Sequence, residues 1–240
     1  MKLSILAFAC ILCFGCAQGK WNNNRIEGNG QIETITRTTS DYDGIKCSGS
    51  FEYILVKGTE GKITIQGEAN LLEYITTEVH NGVLSISTEN NVNISPSRNK
   101  DIVVTIPFET ISQVSLSGSG DLRNTDSITS KTLEVSLAGS GDVLLDINTS
   151  LADGSVTGSG DLTLRGTTEN LEVGVTGSDD FHGFDLKTEN VDVFVTGSGD
   201  AGVNCESNLK ARVTGSGDIE YRGHPKNTDT KVTGSGSISN

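Results

Sequence analysis

Six aspartates occupy the same place in a repeated phrase, and this column of carboxylates is the one interesting chemical feature of the repeat. The phrase Gly-Ser-Gly-Asp, or a close variant, begins at Gly118, Gly139, Gly158, Gly177, Gly197, Gly215 and Gly234. Its fourth position holds Asp121, Asp142, Asp161, Asp180, Asp200 and Asp218, with Ser237 in the last copy. If successive copies stack, the carboxylates stand one strand spacing apart, about 4.8 Å. Two such charges in water repel by about 0.9 kcal/mol. The column must therefore splay, accept hydrogen bonds from Ser hydroxyls and backbone N–H groups, or share cations. Calcium is the cation such a ladder would share, because the phrase faintly resembles the Gly-Gly-x-Gly-x-Asp repeats of calcium-binding β-rolls. It departs from them in having one motif per coil and a glycine directly before the aspartate. No other cofactor is expected.

Two further places carry reactive groups. In the fourth copy the second glycine is replaced, giving Asp179-Asp180-Phe181-His182. That cluster could hold a transition metal, or the chain could bulge there to turn Asp179 outward. His80, His182 and His224 are the only histidines, and they are far apart in sequence. The Gly-Ser-Gly phrases lack the Gly-Lys-Ser/Thr of a phosphate loop, and no nucleophile elbow is used seven times. No HExxH or paired CxxC occurs. Catalysis needs convergent groups in a pocket, and the sequence offers none, so no enzyme is expected.

The N-terminus carries a different chemistry. Lys2 precedes an apolar run from Leu3 to Phe14 that ends in Gly15-Cys16. This is the pattern of a signal peptide over residues 1–15. Gly15-Cys16 resembles the lipobox of bacterial lipoproteins, with Cys13 where a leucine is usual. The resemblance implies lipidation of Cys16, and Ala17 after it implies the outer membrane. The alternative is ordinary secretion with cleavage near Ala17. Residues 16–30 are rich in Asn and Gly and read as the lipidated cysteine and a flexible tether.

The elements that must position these groups follow from periodicity. The period of the phrase is near 19 residues, the mark of a stack of similar units. Counting from the first Gly of each phrase, position −2 holds Leu116, Leu137, Val156, Val175, Val195, Val213 and Val232. Position +4 holds Leu122, Val143, Leu162, Phe181, Ala201, Ile219 and Ile238. Alternating apolar and polar positions rich in Val and Leu are strand periodicity, with even positions inward. Both glycines of the phrase fall on that inward parity. Segments such as Thr168-Glu169-Asn170 and Thr188-Glu189-Asn190 read as turns. The predicted fold is all-β, a right-handed parallel β-helix with two or three strands per coil, since parallel crossovers are right-handed in roughly 98% of cases. Residues 116–240 form its regular part, and residues 31–115 are read as irregular N-terminal coils. Thr228 and Thr230 would cap the last coil. A composition of 34% hydrophobic and 5% aromatic residues with 29 glycines suits the thin core of a solenoid. Cys47 and Cys205 would lie about eight coils, roughly 38 Å, apart, too far for a disulfide.

At this point the chain resembles the head GIN domain family, described as an autotransporter adhesin head. The resemblance covers residues 40–240. It rests on Tyr42-Asp43-Gly44-Ile45, on Asn70-Leu71-Leu72 followed by Ile75-Thr76-Thr77-Glu78-Val79, and on the Gly-Ser-Gly-Asp series. It implies a β-helix at a cell surface with no established catalysis. Only four residues follow Gly236, so a membrane barrel is not expected after it and the lipid on Cys16 is the expected anchor.

The function expected is a non-catalytic, lipid-anchored envelope module, structural or adhesin-like. The alternative is a carbohydrate-binding or polysaccharide-processing envelope protein, although Trp21 lies alone in the tether and stacking aromatics are few. A net charge of −13 argues against nucleic acid as a partner. The expected partners are the outer membrane, through the lipid, and a surface glycan or protein.

Overall fold

The computed structural model describes residues 24–240, so Cys16, the signal segment and most of the tether lie outside the described residues. The described residues are all-β, 71% of them in strands, and the repeat forms a parallel β-solenoid of about seven turns. Each turn runs up to the first glycine of a phrase, bends through Ser-Gly, and continues from Asp into the next turn. Hence the strands are long: Asp142–Gly158, Asp161–Gly177, Asp180–Gly197 and Ala201–Gly215. Each pairs in parallel with the next, and the phrase glycines stay in register, Gly118 on Gly139, Gly158, Gly177, Gly197, Gly215 and Gly234 in succession.

The inward columns are buried where alternation predicts, except in the last coil, where Val232 is exposed and Ile238 half-buried because no rung covers them. Leu116, Leu137, Val156, Val175, Val195 and Val213 form one column, and Leu122, Val143, Leu162, Phe181, Ala201 and Ile219 another. The two glycines of the phrase serve different needs, which corrects the reading that both simply point inward. The first glycine is half-exposed or exposed and takes a left-handed φ, +134° at Gly139 and +135° at Gly158, a conformation costly for any side chain. The second is buried, and a Cβ on Gly141 would stand 2.0 Å from the carbonyl oxygen of Gly120 in the rung beside it. The phrase is thus a corner at which two backbones touch.

The segments read as turns are not turns. Thr168-Glu169-Asn170 and Thr188-Glu189-Asn190 lie inside continuous strands and form a second corner, across which the inward parity shifts. Two columns hold this corner. Thr149, Thr168 and Thr188 are buried just before it, and the Thr149 hydroxyl donates to Thr168 at 2.9 Å. Cys205 pairs with Thr188 and takes the same column one rung on. Beyond the corner the amide of Asn190 donates to Asn170 at 3.0 Å, Asn208 to Asn190 at 2.6 Å and Asn227 to Asn208 at 2.8 Å.

The N-terminal part enters the stack out of chain order. Strands Gly44–Gly49 and Glu52–Lys57 pair in parallel with Gln113–Gly118 and Asp121–Asn124. They pair on their other side with Val83–Thr88 and Val103–Phe108. Gly49-Ser50-Phe51-Glu52 therefore sits as a degenerate phrase beside the Gly118 copy, with Glu52 opposite Asp121. Ile32–Thr38 pairs antiparallel with Lys62–Glu68, and Ile75–His80 forms a hairpin with Val83–Thr88 through Asn81 and Gly82, both at positive φ. A single helical turn, Ala69–Leu72, buries Leu71 and Leu72 against the same core. This threading corrects the spacing of the thiols. The strand of Cys47 and the strand that carries Cys205 are separated by the steps Gly49, Gly118, Gly139, Gly158, Gly177, Gly197 and Gly215, six spacings or about 29 Å rather than eight. Both cysteines are buried and free, and burial pushes both thiols upward in pKa.

Candidate functional site

The Gly-Ser-Gly corner positions the aspartates. Because each phrase ends its bend at the same register, Asp121 lies opposite Asp142 and Asp161 opposite Asp180. All six side chains face outward; five are exposed and Asp180 is half-buried. The column is bound to the backbone beside it. Asp142 Oδ1 accepts the N–H of Asp161 at 3.2 Å, Asp180 Oδ1 that of Asp200 at 2.7 Å, and Asp200 Oδ1 that of Asp218 at 2.7 Å. Asp218 Oδ1 accepts both the N–H of Ser237, at 2.6 Å, and its hydroxyl, at 2.9 Å. A carboxylate that accepts a backbone N–H gains a charge-assisted bond, which offsets part of the repulsion along the column.

The regular pattern breaks at the Gly177 rung. Asp179 replaces the buried glycine and, contrary to the expected outward bulge, its side chain stays fully buried. Its Oδ1 accepts the N–H of Gly160 at 2.7 Å, which gives the inward carboxylate one strong partner, while Oδ2 has none. The irregularity falls instead further along, where the register to the Asp161 strand shifts between Thr163 and Gly166. At the same step His182 Nε2 lies 3.8 Å from Asp161 Oδ2. His80 pairs with Glu78 at 3.0 Å on the N-terminal hairpin, and His224 lies beyond the Ile219–Arg222 strand, so the three histidines do not converge.

The second corner builds a groove of 720 Å³ along the stack. Its floor and walls carry Asn148, Thr167, Lys187, Glu169 and Glu189 beside the buried threonines. Thr167 donates to Asn148 at 3.0 Å, so the hydroxyls and amides repeat at the rung spacing. On the adjoining face Lys210 bonds Asp192 at 2.6 Å and lies 4.7 Å over the Phe194 ring. Periodicity showed the Asp column, whereas the Thr and Asn columns were hidden because Thr-Glu-Asn reads as ordinary turn chemistry. The signal that could have shown them is their constant distance from the phrase.

The family model described as "Putative auto-transporter adhesin, head GIN domain" matches residues 41–225, and the chain belongs to that family. A "putative adhesin" from Bacteroides fragilis has the same fold, with a TM-score of 0.83 and 21% identity over 90% of this chain and 99% of that one. A "putative lipid binding protein" from Parabacteroides distasonis aligns with a TM-score of 0.75 and 25% identity over 90% and 98% of the two chains. A "putative adhesin" from Parabacteroides merdae gives 0.72 and 21% over 90% and 98%. No curated protein matches.

Proposed function

We propose that this head GIN domain chain is a non-catalytic surface module of the cell envelope, held to the outer membrane by a lipid on Cys16, which uses its polar groove to hold a surface glycan or protein. The observation that carries the reading is the chemistry of the two corners. One is a column of carboxylates engaged with backbone N–H groups, and the other is a groove in which Thr, Asn and Glu side chains recur at about 4.8 Å beside Lys187. Such surfaces make many weak, repeated polar contacts to an extended partner. Catalysis would instead need a few tuned groups gathered at one point. The adhesin names of the relatives support the same reading. The lipid-binding name of the Parabacteroides distasonis relative fits less well, because hydroxyls, amides and charges line this groove and an acyl chain needs apolar walls.

A glycan array and an adhesion assay on intact cells test this reading. Thr167→Ala combined with Lys187→Glu should reduce retention of the partner about tenfold or more, the loss of roughly 1.4 kcal/mol of contact. Binding that survives this double change would remove the groove from the account.

A further inference from the structure

We propose that Asp161, Asp180 and His182 bind a divalent transition metal of the zinc class. One ligand atom from each residue lies within 4.8 Å of the others. Zinc bonds nitrogen and carboxylate oxygen at about 2.0–2.2 Å, so tetrahedral ligands stand roughly 3.4 Å apart. The existing His182–Asp161 separation of 3.8 Å is already near that value. Both side chains are about half exposed, 49% and 52%, and are free to close the remaining distance.

This step of the column differs from its neighbours. From Asp142 to Asp161, from Asp180 to Asp200 and from Asp200 to Asp218, the first carboxylate of each pair accepts the N–H of the second residue. No such bond links Asp161 and Asp180 among the described residues, nor Asp121 and Asp142, where the N–H of Asp142 goes to the carbonyl of Gly120 at 3.2 Å. The interruption at Asp161 coincides with the single copy in which Asp179 replaces the buried glycine and takes the N–H of Gly160. Asp161 is left with its carboxylate beside an imidazole. His182 sits opposite Thr163 on one side and Gly202 on the other, and the Phe184 ring fills the space over Gly202. The nitrogen ligand is what separates this site from the rest of the ladder. Calcium takes oxygen ligands, whereas imidazole suits zinc, copper and nickel. With three protein ligands, the fourth position is open to water or to a donor group from a bound partner.

Titration of the full chain with zinc chloride, followed by calorimetry, tests the site. One zinc should bind per chain, and X-ray absorption at the zinc edge should show nitrogen and oxygen ligands. His182→Ala and Asp161→Asn should each weaken binding by about tenfold or more, since loss even of a supporting group typically costs that much. Asp121→Asn, in the same column but outside the triad, should leave the affinity unchanged. His182→Asn keeps a polar side chain at the position and provides the same test if the alanine variant folds poorly. Absence of zinc binding, ligation through sulfur, unchanged affinity in both His182 variants, or equal competition by calcium chloride would each overturn the assignment.

Discussion

Asp179 and Glu68 are both buried carboxylates, yet their surroundings differ. Asp179 has one partner and one unpaired oxygen at the site of a missing glycine. Glu68 is fully satisfied: it accepts the N–H of Ser97 at 2.6 Å, the Ser97 hydroxyl at 2.7 Å and the N–H of Gly30 at 2.5 Å. It thereby ties the segment entering the fold to the loop before Val103. The Ser97 N–H, followed by the Ser97 hydroxyl, the Gly30 N–H and the charge of Lys100, holds its carboxyl below the ordinary glutamate range, against the opposing effect of burial. A carboxyl whose pKa is depressed on folding contributes stability above its unfolded value, and loses it as pH falls through the folded one. The expected outcome is a melting temperature that drops on acidification below that range. Glu68→Gln should lower stability at neutral pH and flatten the acid limb of the profile. An unchanged profile in a pH series of thermal melts would show that the clasp contributes nothing.

Within a strand, parity decides what a substitution costs. Val195 lies in the inward column at 1% exposure, while Ser198 points outward three residues later. Val195→Asp buries an unpaired charge and should destabilise by several kcal/mol, and Ser198→Ala should change stability by under about 0.5 kcal/mol. Urea melts of the two variants measure the difference, and equal losses would refute the packing. This parity was legible in the sequence because Val and Leu recur at fixed offsets from the phrase. The second corner was not, because its parity shift occurs inside a continuous strand and its Asn amides bond to neighbours about 19 residues away. The fate of Asp179 was also hidden. Desolvation argues for an outward bulge, but a backbone N–H on Gly160 was within reach of the inward carboxylate.

At the scale of the whole molecule, the stack is a continuous parallel ladder to which the N-terminal strands add rungs out of order. That order was not legible, since Gly49-Ser50-Phe51-Glu52 keeps only Gly-Ser of the phrase and its partner strands are set by tertiary pairing. The periodic half was legible because each rung repeats the same local solution. The described residues display one acidic corner and one polar corner along the stack, a shape suited to presenting a repeated surface. The lipid anchor proposed on Cys16 is the central claim. The most direct test is membrane fractionation of cells expressing the native chain or Cys16→Ala. The account predicts native protein in the outer-membrane fraction and the variant in the soluble fraction. Identical distribution of the two proteins would contradict it.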